Sequence, residues 1–300
     1  MAAATPCFVN VDSLASSEFE VLEHGVYGHQ CFNQDPIIIA SCLTPGDIAP
    51  ARGGTNPSRM LFLLGDSHAA AVVAGLSAAL KGLMNVAWSA TLFGGGFNAP
   101  WPNTACYHCN WVREAYTTSD TATYVSTAWE ALQAHLRAGD VLAVVTSELR
   151  MPHADFISTQ IEFLRAVNEL VAARSAQLLL LADVPKLPQE GRLCRTPTTA
   201  DDCVTPIQTA TFYHLELHQA TDAAYAAFAR EKSDSVVYLD AAWMYARLCD
   251  ISIGQCGPHV PGTATVAYYD AHHLSTAGSL YLAPFFHCFF ELHVLFTGDA

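Results

Sequence analysis

A serine near the start of this chain and an aspartate and histidine near its end have the types and settings that nucleophilic acyl transfer requires. Ser67 stands in Met60-Leu-Phe-Leu-Leu-Gly-Asp-Ser-His-Ala69, and Asp270 and His273 stand in Tyr268-Tyr-Asp-Ala-His-His-Leu-Ser275. A serine hydroxyl attacks an ester only when a base takes its proton, and a carboxylate beside that base fixes its tautomer. Asp270 and His273, three apart in sequence, supply both. Taken alone, Ser67 reads equally well as a helix N-cap. The Asp-x-x-His pair at the far end turns the reading toward catalysis.

These side chains need elements that bring them together. Met60 to Leu64 is a short apolar run, as expected of a strand covered on both faces. Gly65 allows a sharp turn, and Ala69 to Leu80 follows with small helix formers. A serine at that turn projects from the carboxyl edge of a sheet, with unpaired helix N–H groups beside it to meet an oxyanion. From Met60 onward, strand and helix patterns alternate, the signature of a parallel sheet with helices on both faces. Strands are expected at Met60–Leu64, Val86–Ser89, Val141–Thr146, Leu178–Ala182 and Val236–Leu239. Helices are expected near 68–82, 120–138, 155–174 and 211–231, with a final helix capped by Ser275 or Thr276. The loops at one sheet edge would then gather Ser67, the Gly94 region, Ser147 and the segment Asp240 to His273. Residues 1–58, rich in Pro, Gly and Ser, read as an extension over a domain of residues 59–300, with Gly53-Gly-Thr-Asn-Pro57 as linker.

Gly65-Asp-Ser-His68 together with Asp270-x-x-His273-Leu-Ser275 resembles the SGNH, or GDSL-type, hydrolase superfamily. More narrowly, the chain is similar to the SGNH domain linked to membrane acyltransferases of the acyltransferase-three type, which O-acetylate polysaccharides. The resemblance extends from about Cys31 to the final helix and includes Asp183-Val-Pro185. It implies a flavodoxin-like three-layer α/β/α sandwich around a five-stranded parallel sheet. Ser67 is then the nucleophile, His273 the base and Asp270 the orienting carboxylate. The backbone N–H of Ser67 and of one of Gly94, Gly95 and Gly96 would form the oxyanion hole. Where a typical member has Gly-x-Asn-Asp, this chain has Thr146-Ser-Glu-Leu-Arg150, with no asparagine donor. Arg150 is the candidate substitute; a surface ion pair is the other reading for it. Phe97 and Trp101 could form a platform for a sugar ring, and Asp66, His68 and His272 are candidates for substrate contact.

The function so implied is a serine esterase or O-acyltransferase acting on short acyl esters of carbohydrates, acetyl foremost. The partners are a carbohydrate or other small acyl-ester substrate, with room for a membrane protein as acyl donor. A catalytically inactive carbohydrate-binding or scaffolding domain of the same fold is the rival reading. The nucleophile elbow of α/β-hydrolases is a poorer match, because there the acid and histidine come from separate loops.

Composition narrows the field further. With 28 acidic against 14 basic residues and a net charge of −14, no basic cluster exists for nucleic acid. No Walker or Rossmann glycine pattern occurs, so no nucleotide cofactor is expected. Ten cysteines, several in close pairs, point to disulfides and an oxidising compartment, secreted, extracytoplasmic or luminal. Sequence proximity pairs Cys31 with Cys42, Cys106 with Cys109, Cys194 with Cys203 and Cys249 with Cys256, leaving Cys7 and Cys288 as a fifth pair or as free thiols. Cys106 and Cys109 also have the spacing of half a zinc site, but no second pair matches, and no metal is expected. The first residues lack the basic start and apolar core of a signal peptide, so a trimmed leader or a piece of a longer chain is expected. The stretch Ala283 to Phe296 is short and broken by His287, Glu291 and His293, which makes it a helix on the core rather than a membrane span.

Overall fold

A computed structural model describes residues 31, 36–45, 59–90, 119–145, 154–188, 203–211 and 215–295. In chain order the elements are α1 (Pro36–Leu43), β1 (Met60–Gly65), α2 (Ser67–Ala79), β2 (Asn85–Ala90), α3 (Ser119–His135), β3 (Val141–Val145), α4 (Ala154–Ala173) and β4 (Gln177–Leu181). They continue with β5 (Thr205–Pro206), α5 (Leu215–Glu231), β6 (Val236–Leu239), α6 (Ala241–Leu248), β7 (Cys249–Asp250), β8 (Gln255–Cys256), α7 (Thr276–Tyr281) and α8 (Ala283–Phe290).

The five longer strands form one sheet in the order β2-β1-β3-β4-β6, every neighbouring pair parallel. This is the doubly wound, flavodoxin-like order, and the expected five strands all lie within it. Alternation along each strand divides the core between two faces. Leu61, Leu63, Ala143, Val145, Leu179 and Leu181 pack with α2, α6 and the phenylalanines of α8. Phe62, Leu64, Leu142, Val144, Leu178 and Leu180 pack with α1, α3, α4 and α5. The apolar run in each central strand is therefore continuous because both faces are covered.

At the amino edge of the sheet, Asp140 accepts from the N–H of Met60 and of Arg137, each at 2.8 Å, which fixes the starts of β1 and β3 against one another. At the other edge the chain turns at Gly65. A Cβ there would lie 1.8 Å from the Val145 carbonyl oxygen, so β1 and β3 approach as closely as they do only because the side chain is a hydrogen. Gly65→Ala is expected to lower folding stability by about 3 kcal/mol or more, since the obstacle is backbone rather than a movable side chain. A urea midpoint equal to wild type would contradict that packing.

The expected N-terminal extension is partly integrated: Ile39 and Leu43 of α1 are buried with Phe62, Leu64 and Leu132. The Cys31–Cys42 disulfide and a bond from the Ala90 N–H to the Cys31 carbonyl hold this segment beside β2. The final helix is two helices rather than one. They meet at Leu282, just before Pro284, whose ring cannot continue the first. Glu291–Leu295 adds a π-helical turn. Among the described residues no helix is long and apolar enough to cross a membrane. The small antiparallel sheet β5-β8-β7 was not apparent in the sequence; the Cys249–Cys256 disulfide clamps its hairpin.

Candidate active site

Ser67 is the first residue of α2, directly beyond β1. Asp66 caps the helix, its carboxylate accepting the His68 N–H at 2.9 Å and its carbonyl accepting the Ala69 N–H at 3.0 Å. Asp66, proposed from sequence as a substrate contact, is only 3% exposed, and its carboxylate holds the helix start. The Ser67 N–H belongs to the first turn, which no intrahelical acceptor reaches, so it is a donor suited to an oxyanion.

The opposite wall comes from the segment between Cys256 and α7. A bridge between Tyr268 and Leu274 and a bond from the Tyr269 N–H to the His273 carbonyl close a tight loop. Inside that loop Asp270 Oδ1 accepts the N–H groups of His272 and His273, at 2.9 and 2.8 Å. Ser275 anchors the exit, capping α7 through the Gly278 N–H and donating to the Val266 carbonyl. Of the two caps expected from sequence, Ser275 is the one used.

These two walls bring the residues singled out by type into one chain of hydrogen bonds. The Ser67 Oγ lies 2.7 Å from His273 Nε2, and His273 Nδ1 lies 2.6 Å from Asp270 Oδ2. Burial works against the Asp270 charge, but the hydrogen bond and charge of His273, with the two backbone N–H groups, hold its carboxyl well below the usual carboxylate range. An ionised Asp270 accepts from Nδ1–H, which leaves Nε2 as the acceptor for the serine proton.

A second constellation lies against the first. His68 Nδ1 is 2.5 Å from Asp183 Oδ1, and His68 Nε2 is 3.1 Å from His272 Nδ1. The His272 and His273 ring centroids are 4.1 Å apart. Burial opposes a charge on His68, yet the Asp183 charge and hydrogen bond, with the charges of Asp66 and Asp270, outweigh it and push the ring up to about 9. His272 goes the other way: burial, then the charges of His273 and His68, bring it down to about 4 against Asp270 and Asp183. Sequence reading placed His68 and His272 near the site but assigned Asp183 no role. Its signals were its position two residues past β4 and its place in the family-like Asp183-Val-Pro185.

Ring nitrogens of His68, His272 and His273 all lie within 4.8 Å of one another, a spacing that a metal ion could share. The protonation pattern disfavours one, because His68 beside Asp183 holds the proton a metal would displace and His273 Nε2 faces the Ser67 hydroxyl. Gly94, Gly95, Gly96, Phe97, Trp101, Cys106, Cys109, Arg150 and Cys194 lie outside the described residues. Cys203 and Cys288 are disulfide-bonded, so Cys288 is not a free thiol.

The family model described as "SGNH domain (fused to AT3 domains)" matches residues 30–287. Among solved structures, the chain is similar to the periplasmic domain of the lipopolysaccharide acetyltransferase of Salmonella ser. Paratyphi A. That pair has 13% identity and a TM-score of 0.55, covering 86% of this chain and 89% of the other. Est24, a carbohydrate acetylesterase from Sinorhizobium meliloti, is 15% identical with a TM-score of 0.40, over 78% of this chain and 97% of that one. At such identities the likeness to the Salmonella domain is one of fold. No curated protein matches the chain.

Proposed function

The chain belongs to the SGNH domain family of the kind fused to AT3 domains, and on that premise we propose that it is a serine-dependent esterase or O-acyltransferase for short acyl esters, acetyl above all, on carbohydrate hydroxyls. The observation that carries the reading is the unbroken line Ser67, His273, Asp270, at 2.7 and 2.6 Å. In the first step His273 Nε2 takes the Ser67 proton as Oγ bonds to the ester carbonyl carbon. The carbonyl oxygen takes up the displaced electron pair and is met by the Ser67 N–H. When the tetrahedral adduct collapses, the C–O bond to the sugar breaks, and His273 returns its proton to the leaving alkoxide. Attack on the acyl-serine by water completes hydrolysis; attack by a second sugar hydroxyl completes transfer.

In this reading residues 59–300 form the catalytic domain with residues 1–58 as an N-terminal extension, and for transfer a membrane acyltransferase supplies the acyl group in place of the sugar ester. The Cys31–Cys42 and Cys249–Cys256 bridges fit an extracytoplasmic location, where disulfides persist. A fluorophosphonate probe is expected to label Ser67 and no other serine, read by peptide mass spectrometry. The rival reading, an inactive binding domain, expects an unlabelled Ser67.

A further inference from the structure

We propose that Asp183, His68 and His272 form a second relay beside the first, ending in a His272 ring N–H that donates to the substrate carbonyl oxygen as negative charge builds on it. The inference rests on Ser67 being the nucleophile and adds a donor to that reaction. Its basis is the direction of the protons. His68 Nδ1 gives its hydrogen to Asp183 Oδ1, which also accepts the Val184 N–H at 2.8 Å. Charged, His68 has a hydrogen on Nε2 as well, so His272 Nδ1 must accept it and His272 must carry its own hydrogen on Nε2.

The groups that face His68 decide its charge: Asp183, Asp66 and Asp270 favour it against burial, and the rings of His272 and His273 pack against it from the facing loop. His68 and His273 are buried, whereas Ser67 and His272 are half-buried, so each relay runs from an inner histidine to an outer group. The loop carrying His272 is tied to the loop carrying Asp183 by the bond from the Leu187 N–H to the Ala271 carbonyl, 2.7 Å. The segment 146–150 lacks an asparagine and offers Arg150 as its one strong side-chain donor; His272 adds a second side-chain N–H, on the wall opposite α2. A fixed cation behind a neutral imidazole polarises that imidazole's remaining N–H and strengthens the bond it gives.

Two measurements on the full chain test this. Nitrogen-15 NMR of the histidine rings at neutral pH is expected to show His68 protonated on both nitrogens and His272 protonated on Nε2 alone. His68 neutral, or His272 protonated on Nδ1, would overturn the relay whatever the activity. In kinetics on an acetyl ester, His272→Ala is expected to lower kcat about a hundredfold with KM little changed, and His272→Gln, which keeps a donor, to recover part of the loss. His68→Asn is expected to lower kcat and to remove the fall in wild-type kcat as pH rises past about 9, where His68 gives up its charge. His272→Ala within threefold of wild type, or no advantage of Gln over Ala in variants with wild-type circular dichroism, would refute the donor role. With Ser67 still labelled by fluorophosphonate, that result refutes this proposal alone; an unlabelled Ser67 removes the reaction itself.

Discussion

Ser67→Ala is expected to lower kcat for p-nitrophenyl acetate by about 10⁵-fold while KM stays near the wild-type value. The loss is this large because the hydroxyl is the atom that forms the covalent bond, and the variant leaves water as the only nucleophile. His273 loses one partner and keeps its bond to Asp270, which is itself held by two backbone N–H groups of its own loop. The fold should therefore be unchanged, and a matched circular dichroism spectrum with the nitrophenol signal reduced to background is the expected result. Equal rates for variant and wild type would show that Ser67 does not carry the acyl group.

Asp270→Asn is expected to cost about 10⁴-fold in kcat, through the tautomer of His273 rather than through lost packing. The Oδ1 position accepts two backbone N–H groups, so the asparagine carbonyl is retained there and the NH₂ is turned toward His273 Nδ1. A donor facing Nδ1 forces that nitrogen to accept and leaves the ring hydrogen on Nε2, where it meets the Ser67 hydroxyl with nothing to take the proton. Fluorophosphonate labelling of Ser67 should slow in parallel with turnover. The ionised carboxylate also has a signature in stability. Because its folded pKa is depressed, its contribution is present above the ordinary carboxylate range and is lost as pH falls toward the folded value. Wild type should therefore lose more stability than Asp270→Asn between neutral and strongly acidic pH.

What could be read from the chain before its structure follows from periodicity and local chemistry. The inner strands β1, β3 and β4 announce themselves because they are covered on both faces and must be apolar almost throughout, as in Leu61 to Leu64; the edge strands β2 and β6 are partly exposed and show shorter apolar runs. The meeting of Ser67, His273 and Asp270 was legible because the proposed chemistry restricts the residue types, and Asp270 and His273 share one turn. Asp183 was not, since a single aspartate after a strand looks like any helix cap or loop residue until its partner, 115 positions away, is seen against it. The strands β5, β7 and β8 are two residues each, too short for any alternation to show. The eight-residue α6 escaped for a related reason: it follows β6 directly, with only Asp240 as its cap.

His273 enters the polypeptide 206 positions after Ser67, the residue its ring meets. On a ribosome β1 and α2 therefore emerge well before the loop that carries this histidine. Under the proposed mechanism the serine hydroxyl stays inert until the loop carrying His273 docks against α2. Contacts this distant in sequence also close slowly, because much chain must be ordered before they form. Recovery of ester cleavage after dilution from denaturant should accordingly lag behind recovery of helix signal.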